Sequence, residues 1–132
     1  MISIGIVGAG RTRFGLGPIL ARCAERAGMR VEGVAGRSPE RARANARDLS
    51  QSLGHAIRPH ESVEALCASS IEALIVASPP HHHLHALDAA VSSGLAVLCE
   101  KPLVHEAHIA GGEAPQVARA MAERSAAAYT GG

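Results

Sequence analysis

Three consecutive residues, Glu100, Lys101 and Pro102, follow the apolar run of residues 95–99 and have the types to do chemistry. The apolar run is typical of a buried strand, whereas an acid, a base and a helix-stopping proline make a poor core segment. Ligands of open parallel sheets bind outside the carboxyl ends of the strands, so these residues are predicted to lie at an active-site edge. Lys101, partly desolvated there, could orient a hydroxyl or carbonyl and stabilise developing oxyanion charge. The alternative is that Lys101 only pairs with a nearby carboxylate.

A glycine-rich turn, Gly8-Ala9-Gly10, follows the β-branched run of residues 2–7 and precedes a helical pattern. Backbone N–H groups and a helix N-terminus at such a turn bind the pyrophosphate of a dinucleotide. Arg13 stands at the third glycine position of the GxGxxG pattern, and glycine returns only at Gly15 and Gly17, so a longer loop than usual is expected. Charged loop side chains would add hydrogen bonds to phosphate. The predicted cofactor-binding residues of this loop are Gly8, Gly10, Arg11, Thr12 and Arg13. The alternative is a glycine-rich turn with two solvated arginines.

The end of the second predicted strand carries no carboxylate, because the sequence there is Ala35-Gly36-Arg37-Ser38. An acid at this point would accept hydrogen bonds from the 2′-hydroxyl of NAD, whereas an arginine accommodates the 2′-phosphate of NADP. Arg37 can stack on adenine and pair with phosphate, the Ser38 hydroxyl can donate, and Arg41 is a second cation one helical turn on. NADP is therefore predicted over NAD. The alternative is that Arg37 is a solvated turn residue and that the cofactor is NAD or absent.

The elements that position these residues alternate between strand and helix patterns. Strands are predicted at residues 2–7, 31–35, 56–58, 71–77 and 95–99, with helical patterns beginning near residues 18, 38, 62 and 84. The almost wholly apolar run of residues 71–77 indicates burial on both faces. The alternation predicts an α/β fold, a Rossmann-type doubly wound parallel sheet in three α/β/α layers. We expect an NAD(P)-binding domain over residues 1–104, and a helical extension of the same domain with a flexible end over residues 105–132.

Composition excludes several classes of function. A formal net charge of +1 and an aromatic content of 2% give no electrostatic or stacking basis for binding nucleic acid. The three cysteines contain no CxxC pair, which is typical of a reducing cytoplasm. No stretch is long and apolar enough to span a membrane, so a cytoplasmic protein is expected. The histidines at positions 81, 82, 83 and 85 lie close together, but metal sites need further ligands from elsewhere, and no metal is predicted.

Three motifs together, Gly8-Ala9-Gly10, Ser78-Pro79-Pro80-His81-His82-His83 and Glu100-Lys101-Pro102, resemble the Gfo/Idh/MocA family of oxidoreductases over residues 2 to about 104. The resemblance implies hydride transfer between a nicotinamide cofactor and a small sugar- or polyol-like hydroxyl or carbonyl substrate. It implies that Lys101, as the catalytic residue, lies by the nicotinamide and the substrate. The further residues that it implies for cofactor binding are Ser78, Pro79, Pro80, His83, Glu100 and Pro102.

The family also carries a second α/β domain, which supplies the substrate pocket, other catalytic groups and usually the oligomer interface. These 132 residues do not encode it. We therefore expect the NADP-binding half of an oxidoreductase, which binds cofactor but turns over little or nothing unless a second chain or the missing domain completes it. The alternative is a stand-alone NAD(P)-binding module with a sensory or scaffolding role. The substrate and the oligomeric state stay open.

Overall fold

The computed structural model describes residues 1–10, 15–101 and 123, which contain one five-stranded parallel sheet. The strands are β1 (Ser3–Val7), β2 (Arg30–Ala35), β3 (Arg58–Pro59), β4 (Ala73–Val76) and β5 (Ala96–Cys99). The helices are α1 (Gly17–Arg26), α2 (Pro39–Leu53), α3 (Val63–Cys67) and α4 (His83–Ser92), with a 3-10 turn at Pro80–His82. The strand order is β3-β2-β1-β4-β5, so the chain changes its direction of growth between β1 and β4. This is the predicted Rossmann-type sheet.

Helices cover both faces of the sheet, which explains why the strands are apolar on both sides. On one face, alanines and a leucine of α1 and α2 pack on Ile4, Ile6 and Val31. On the other, small and branched side chains of α3 and α4 pack on Val7 and Leu74. The described residues use mainly alanine, valine, leucine and isoleucine for this packing. Short side chains allow the helices to approach the sheet closely.

The edge strand β3 is shorter than predicted and lies further along the chain. The backbone N–H of Ile57 donates to Ser50 Oγ of α2 at 3.0 Å, so this amide does not enter the sheet. Pro59, which has no N–H to donate, is tolerated because it lies on an edge strand. The sheet continues with the His60 amide, which donates to the Val34 carbonyl at 2.8 Å.

Serine caps position two of the helices. The Ser38 hydroxyl accepts a hydrogen bond from the Arg41 amide at 3.2 Å and begins α2, and Ser62 caps α3 in the same way. Gly54 ends α2 in the left-handed region at φ +79°. No helix in the described part of the chain is long and apolar enough to cross a membrane. The extension predicted for residues 105–132 lies outside the described residues, except for Glu123.

Glu25, near the end of α1, joins three elements at the amino-end side of the sheet. Its Oε1 accepts from the Val31 amide of β2 at 2.9 Å and lies 2.7 Å from Nε2 of His55, which follows α2. Partial burial raises the pKa of Glu25, but the hydrogen bonds from Val31 and His55 and the positive charges of His55 and Arg30 together outweigh it. The net result is a pKa below the usual value.

The variant Glu25→Gln is expected to lower the free energy of unfolding by about 1 kcal/mol at neutral pH, because a neutral amide oxygen accepts the same hydrogen bonds more weakly than the carboxylate does. A pKa that is lower in the folded chain stabilises it above the unfolded-state value of about 4.3. This contribution disappears as the pH falls through the folded-state pKa, so the difference between variant and wild type should shrink towards about pH 3. Urea unfolding across this pH range measures it, with the exposed Asp88→Asn as control. A difference independent of pH would contradict the assignment.

Candidate functional site

A groove of about 760 Å³ opens at the edge of the sheet where β1, β2, β4 and β5 end. Its walls include the residues directly after these strands: Gly8 and Gly10, Gly36 and Arg37, Ser78 and Pro79, and Glu100 and Lys101. The groove therefore lies at the switch point between β1 and β4, where open α/β sheets bind dinucleotides. Its volume is within the range of ligand pockets.

The turn after β1 brings the backbone of three segments into close contact. Gly8 has φ +86°, and a Cβ there would lie 2.3 Å from the backbone nitrogen of Ser78. A Cβ on Gly17, the first residue of α1, would lie 2.4 Å from the Gly8 carbonyl oxygen and 2.8 Å from Cα of Ala9. Both positions thus require glycine, and together they place the start of α1 directly on the turn.

Gly17 occupies the place that the GxGxxG spacing gives to residue 13. The third glycine of that pattern allows close packing of the helix on the strand, and here it comes four residues later, at 17 instead of 13. The expectation of a longer loop is therefore correct, but the close-packing role of Gly17 was missed. The signal was available, because Pro18 is typical of a first helical turn and Gly17 directly precedes it. Arg11, Thr12 and Arg13 lie outside the described residues.

The segment after β4 contains a buried hydroxyl without a partner. Ser78 is 8% exposed and lines the groove, and its Oγ has no hydrogen-bond partner among the described residues. An unsatisfied buried hydroxyl is costly, and such groups are rare in folded proteins. Pro79 and Pro80 continue the wall beside it. The Ser78 hydroxyl is therefore suited to a polar group of a ligand in the groove.

His83, which the resemblance implied for cofactor binding, lies behind this wall and is not among the residues that line the groove. It is 1% exposed at the start of α4, and its Nε2 lies 2.6 Å from the Ser78 carbonyl oxygen. The physical reason is its place on the inward face of α4, next to the buried Leu84 and Leu87. His83 positions the segment that lines the groove.

At the end of β2, two exposed cations line the groove. Arg37 and Arg41 are on its wall, whereas the Ser38 oxygen is engaged as the cap of α2. A Cβ on Gly36 would lie 3.2 Å from Cβ of Arg41 and 3.3 Å from the Ala42 nitrogen, which leaves little room for a side chain there. The structure therefore gathers positive charge, and no carboxylate, directly after β2.

Asn45 of α2 also lines the groove, and sequence reasoning missed it. It is 6% exposed and lies against Gly10, where a Cβ would be 3.5 Å from its Oδ1. The signal was a polar residue within the apolar stripe of α2, whose other buried members are Ala42, Ala46 and Leu49.

The opposite rim carries histidines and glutamates. His85 Nε2 lies 2.6 Å from Glu64 Oε1 between α4 and α3. Burial lowers the pKa of His82, as do the positive charges of its histidine neighbours and of Arg37, which favours the neutral form of this ring. Within the described residues, no group of three or more His, Cys, Asp or Glu side chains is arranged to hold a metal ion.

Glu100 and Lys101 close the groove at the end of β5. The Glu100 amide donates to the Val76 carbonyl at 2.9 Å, which holds this segment beside the end of β4. The preceding thiol, Cys99, has its pKa raised to about 11 by burial and by Glu100, so it is not a nucleophile at neutral pH. Pro102 lies outside the described residues. The structure thus brings Lys101 to the same groove as the glycine turn.

Comparison with known proteins decides the family. A family model described as an oxidoreductase family with an NAD-binding Rossmann fold matches residues 2–131. This chain belongs to that Gfo/Idh/MocA family. The family's enzymes are oxidoreductases, and the described residues form its nucleotide-binding fold.

Individual members of the family extend well beyond this chain. Inositol 2-dehydrogenase of Streptomyces avermitilis is 38% identical over 104 residues, which are 79% of this chain and 29% of that protein. The solved structure of UDP-N-acetylglucosamine 3-dehydrogenase from Acidithiobacillus ferrooxidans is 27% identical, with a TM-score of 0.71 over 94% of this chain and 36% of that one.

A 3-ketoreductase from Actinomadura kijaniata, solved with TDP-benzene and NADP, is 24% identical and shares the fold with a TM-score of 0.69. It is matched over 93% of this chain and 36% of its own. The chain thus spans about a third of the length of these relatives. The family is described as NAD-binding and this relative holds NADP, so both cofactors occur among the similar proteins.

Proposed function

We propose that this chain is the NADP(H)-binding part of an oxidoreductase that transfers a hydride to or from a sugar- or polyol-like hydroxyl or carbonyl. The observation that carries the proposal is the groove at the switch point, which has a glycine turn at its base, arginines at one end and Lys101 at the other. NAD is the second choice of cofactor.

The described residues fit a dinucleotide. The backbone at Gly8 and Gly10 and the start of α1 would hold the pyrophosphate, because both glycines line the groove and carry no side chain that would block it. The unpartnered Ser78 hydroxyl would gain a hydrogen-bond partner from a cofactor in the groove. The loop residues Arg11, Thr12 and Arg13 remain proposed phosphate ligands.

The adenosine end favours NADP. Arg37 and Arg41 line the groove after β2, where a carboxylate would be needed to select NAD. Two carboxylates do line the groove near α3, but not directly after β2. Glu61 precedes that helix, and Glu64 lies within it and is paired with His85. Ser38 remains a proposed contact through its hydroxyl hydrogen.

Lys101 is proposed as the catalytic residue at the nicotinamide end. The bound cofactor supplies the hydride chemistry. The Lys101 ammonium would donate a hydrogen bond to the reacting oxygen of the substrate and so stabilise negative charge there. Glu100 and Pro102 would frame the adjoining ribose. The rest of the substrate pocket would come from a further domain or a second chain, so the 132 residues alone should bind cofactor with little or no turnover.

Binding to the folded chain raises its melting temperature by mass action, which gives a direct test. We expect NADPH to shift the melting temperature by several degrees and more than NADH does. Arg37→Ala should weaken NADPH at least tenfold and leave NADH within twofold, because it removes a charge-assisted contact to the 2′-phosphate. Arg47→Ala, on an exposed part of α2 outside the groove, is the matched control. An unchanged melting temperature with either cofactor at millimolar concentration would overturn cofactor binding. Tighter binding of NADH than of NADPH would overturn the preference for NADP.

A further inference from the structure

Asn45 is the one polar member of the buried side of α2. It is 6% exposed, and the other buried residues of α2 are Ala42, Ala46 and Leu49. Its side chain makes no hydrogen bond to any residue that the structure describes. The amide atoms of Asn45 are not fully buried, because among the described residues only Ser78 Oγ is a fully buried side-chain N or O atom without a partner. Unlike a buried core amide, Asn45 faces the groove.

Its neighbours indicate which part of a ligand it would meet. A Cβ on Gly10 would lie 3.5 Å from Oδ1 and 3.9 Å from Nδ2 of Asn45, so the amide stands beside the backbone of the phosphate turn. Arg41 lies one helical turn earlier on the same side of α2 and also lines the groove. Asn45 is therefore placed between the phosphate turn and the arginines after β2. In a dinucleotide bound at a switch point, the adenosine ribose lies in that interval.

The chemistry of the amide matches a hydroxyl better than a phosphate. An asparagine side chain both donates and accepts, as a ribose hydroxyl does, whereas a guanidinium only donates. The arginines thus suit the 2′-phosphate, and Asn45 suits the neighbouring 3′-hydroxyl, which NAD and NADP share.

We propose that Asn45 is a cofactor-positioning residue whose amide hydrogen-bonds the 3′-hydroxyl of the adenosine ribose. This inference rests on the proposed cofactor binding, but not on the preference for NADP. Two functions are thereby separated within one wall of the groove. Arg37 and Arg41 would bind the 2′-phosphate, and Asn45 would bind the ribose.

The test is a titration of NADPH and NADH against wild type and Asn45→Ala. Loss of one hydrogen bond should weaken both cofactors by about tenfold and leave their ratio unchanged. The unfolding midpoint of the ligand-free variant should equal or exceed that of wild type, because alanine has the higher helix propensity inside α2 and no hydrogen bond to a described residue is lost. Gln51→Ala, an exposed amide of the same helix outside the groove, is the matched control.

A second titration keeps the test independent of folding effects. Wild type should bind ADP about tenfold more tightly than 3′-deoxy-ADP, and Asn45→Ala should lose this preference. If the variant keeps the preference, or if only NADPH binding weakens, the assignment to the 3′-hydroxyl is overturned. A loss of stability with unchanged affinity would show a structural role and overturn it too. If wild type binds neither NADPH nor NADH, cofactor binding itself fails, which is a different result from equal binding by wild type and variant.

Discussion

Replacing Gly8 with alanine should lower the free energy of unfolding by more than about 3 kcal/mol and abolish dinucleotide binding. Two effects add: the positive φ of +86° strains any side chain, and the new Cβ would lie 2.3 Å from the Ser78 nitrogen. Backbone atoms do not move aside as a flexible side chain does. β1 and the segment after β4 would have to separate, which opens the groove at its base and disturbs the packing of both strands.

The variant Gly28→Ala measures the backbone strain of a positive φ without a steric clash of the new Cβ. Gly28 has nearly the same φ, +87°, but a Cβ at this position would have no atom within 4 Å. Strain of about 1–2 kcal/mol is therefore the whole expected cost. Urea unfolding measures both variants, and NADPH titration follows for those that fold. Equal losses of stability for Gly8→Ala and Gly28→Ala would show that the close approach to Ser78 has no energetic weight.

The second large effect is expected from Gly36→Asp, which places a carboxylate after β2. Gly36 is not at a positive φ, so an aspartate can adopt its backbone conformation, although Arg41 and Ala42 must give by a few tenths of an ångström. The carboxylate would repel a 2′-phosphate and accept a hydrogen bond from a 2′-hydroxyl. Hydrogen bonds to charged groups contribute about 1.5–3 kcal/mol, so the ratio of NADPH to NADH affinity should fall by about a hundredfold or more.

Gly36→Asn is the matched control, because it has the same size without the charge. It should weaken both cofactors alike through the tight contact with α2, and leave their ratio near that of wild type. Isothermal titration of both cofactors against both variants distinguishes the charge from the volume. If the two variants behave alike, the end of β2 does not select between the cofactors.

The hydrophobic periodicity and the turn residues were enough to predict the sheet, because the burial of the strands dictates which of their positions are apolar. The run of residues 71–77 has almost no polar position, and β4 is the strand that lies between β1 and β5 with helices on both faces. The ends of elements were predicted less well. β3 was predicted at residues 56–58, but the Ile57 amide donates to the Ser50 hydroxyl instead of to the sheet. A local sequence pattern cannot predict such a hydrogen bond, because its two partners are separated along the chain.

The groove residues that follow strands could be predicted from the sequence, whereas Asn45, which lies on a helix, could not. Lys101, Ser78 and Arg37 follow strands closely, so the topology alone brings them to one edge of the sheet. Asn45 reaches the groove because α2 crosses close to Gly10, which depends on the packing angle of a helix. The inward position of His83 likewise depends on the rotation of α4 about its axis.

The bond between His83 and the Ser78 carbonyl has a consequence for the thermodynamics of binding. A carbonyl oxygen only accepts, so Nε2 of His83 carries the hydrogen and donates it. The segment that holds Pro79 and Pro80 is thereby fastened to the interior of α4 before any ligand arrives. Its conformational entropy is lost during folding, so an incoming molecule meets a wall that is already rigid. Association should then be limited by encounter rather than by rearrangement of this wall.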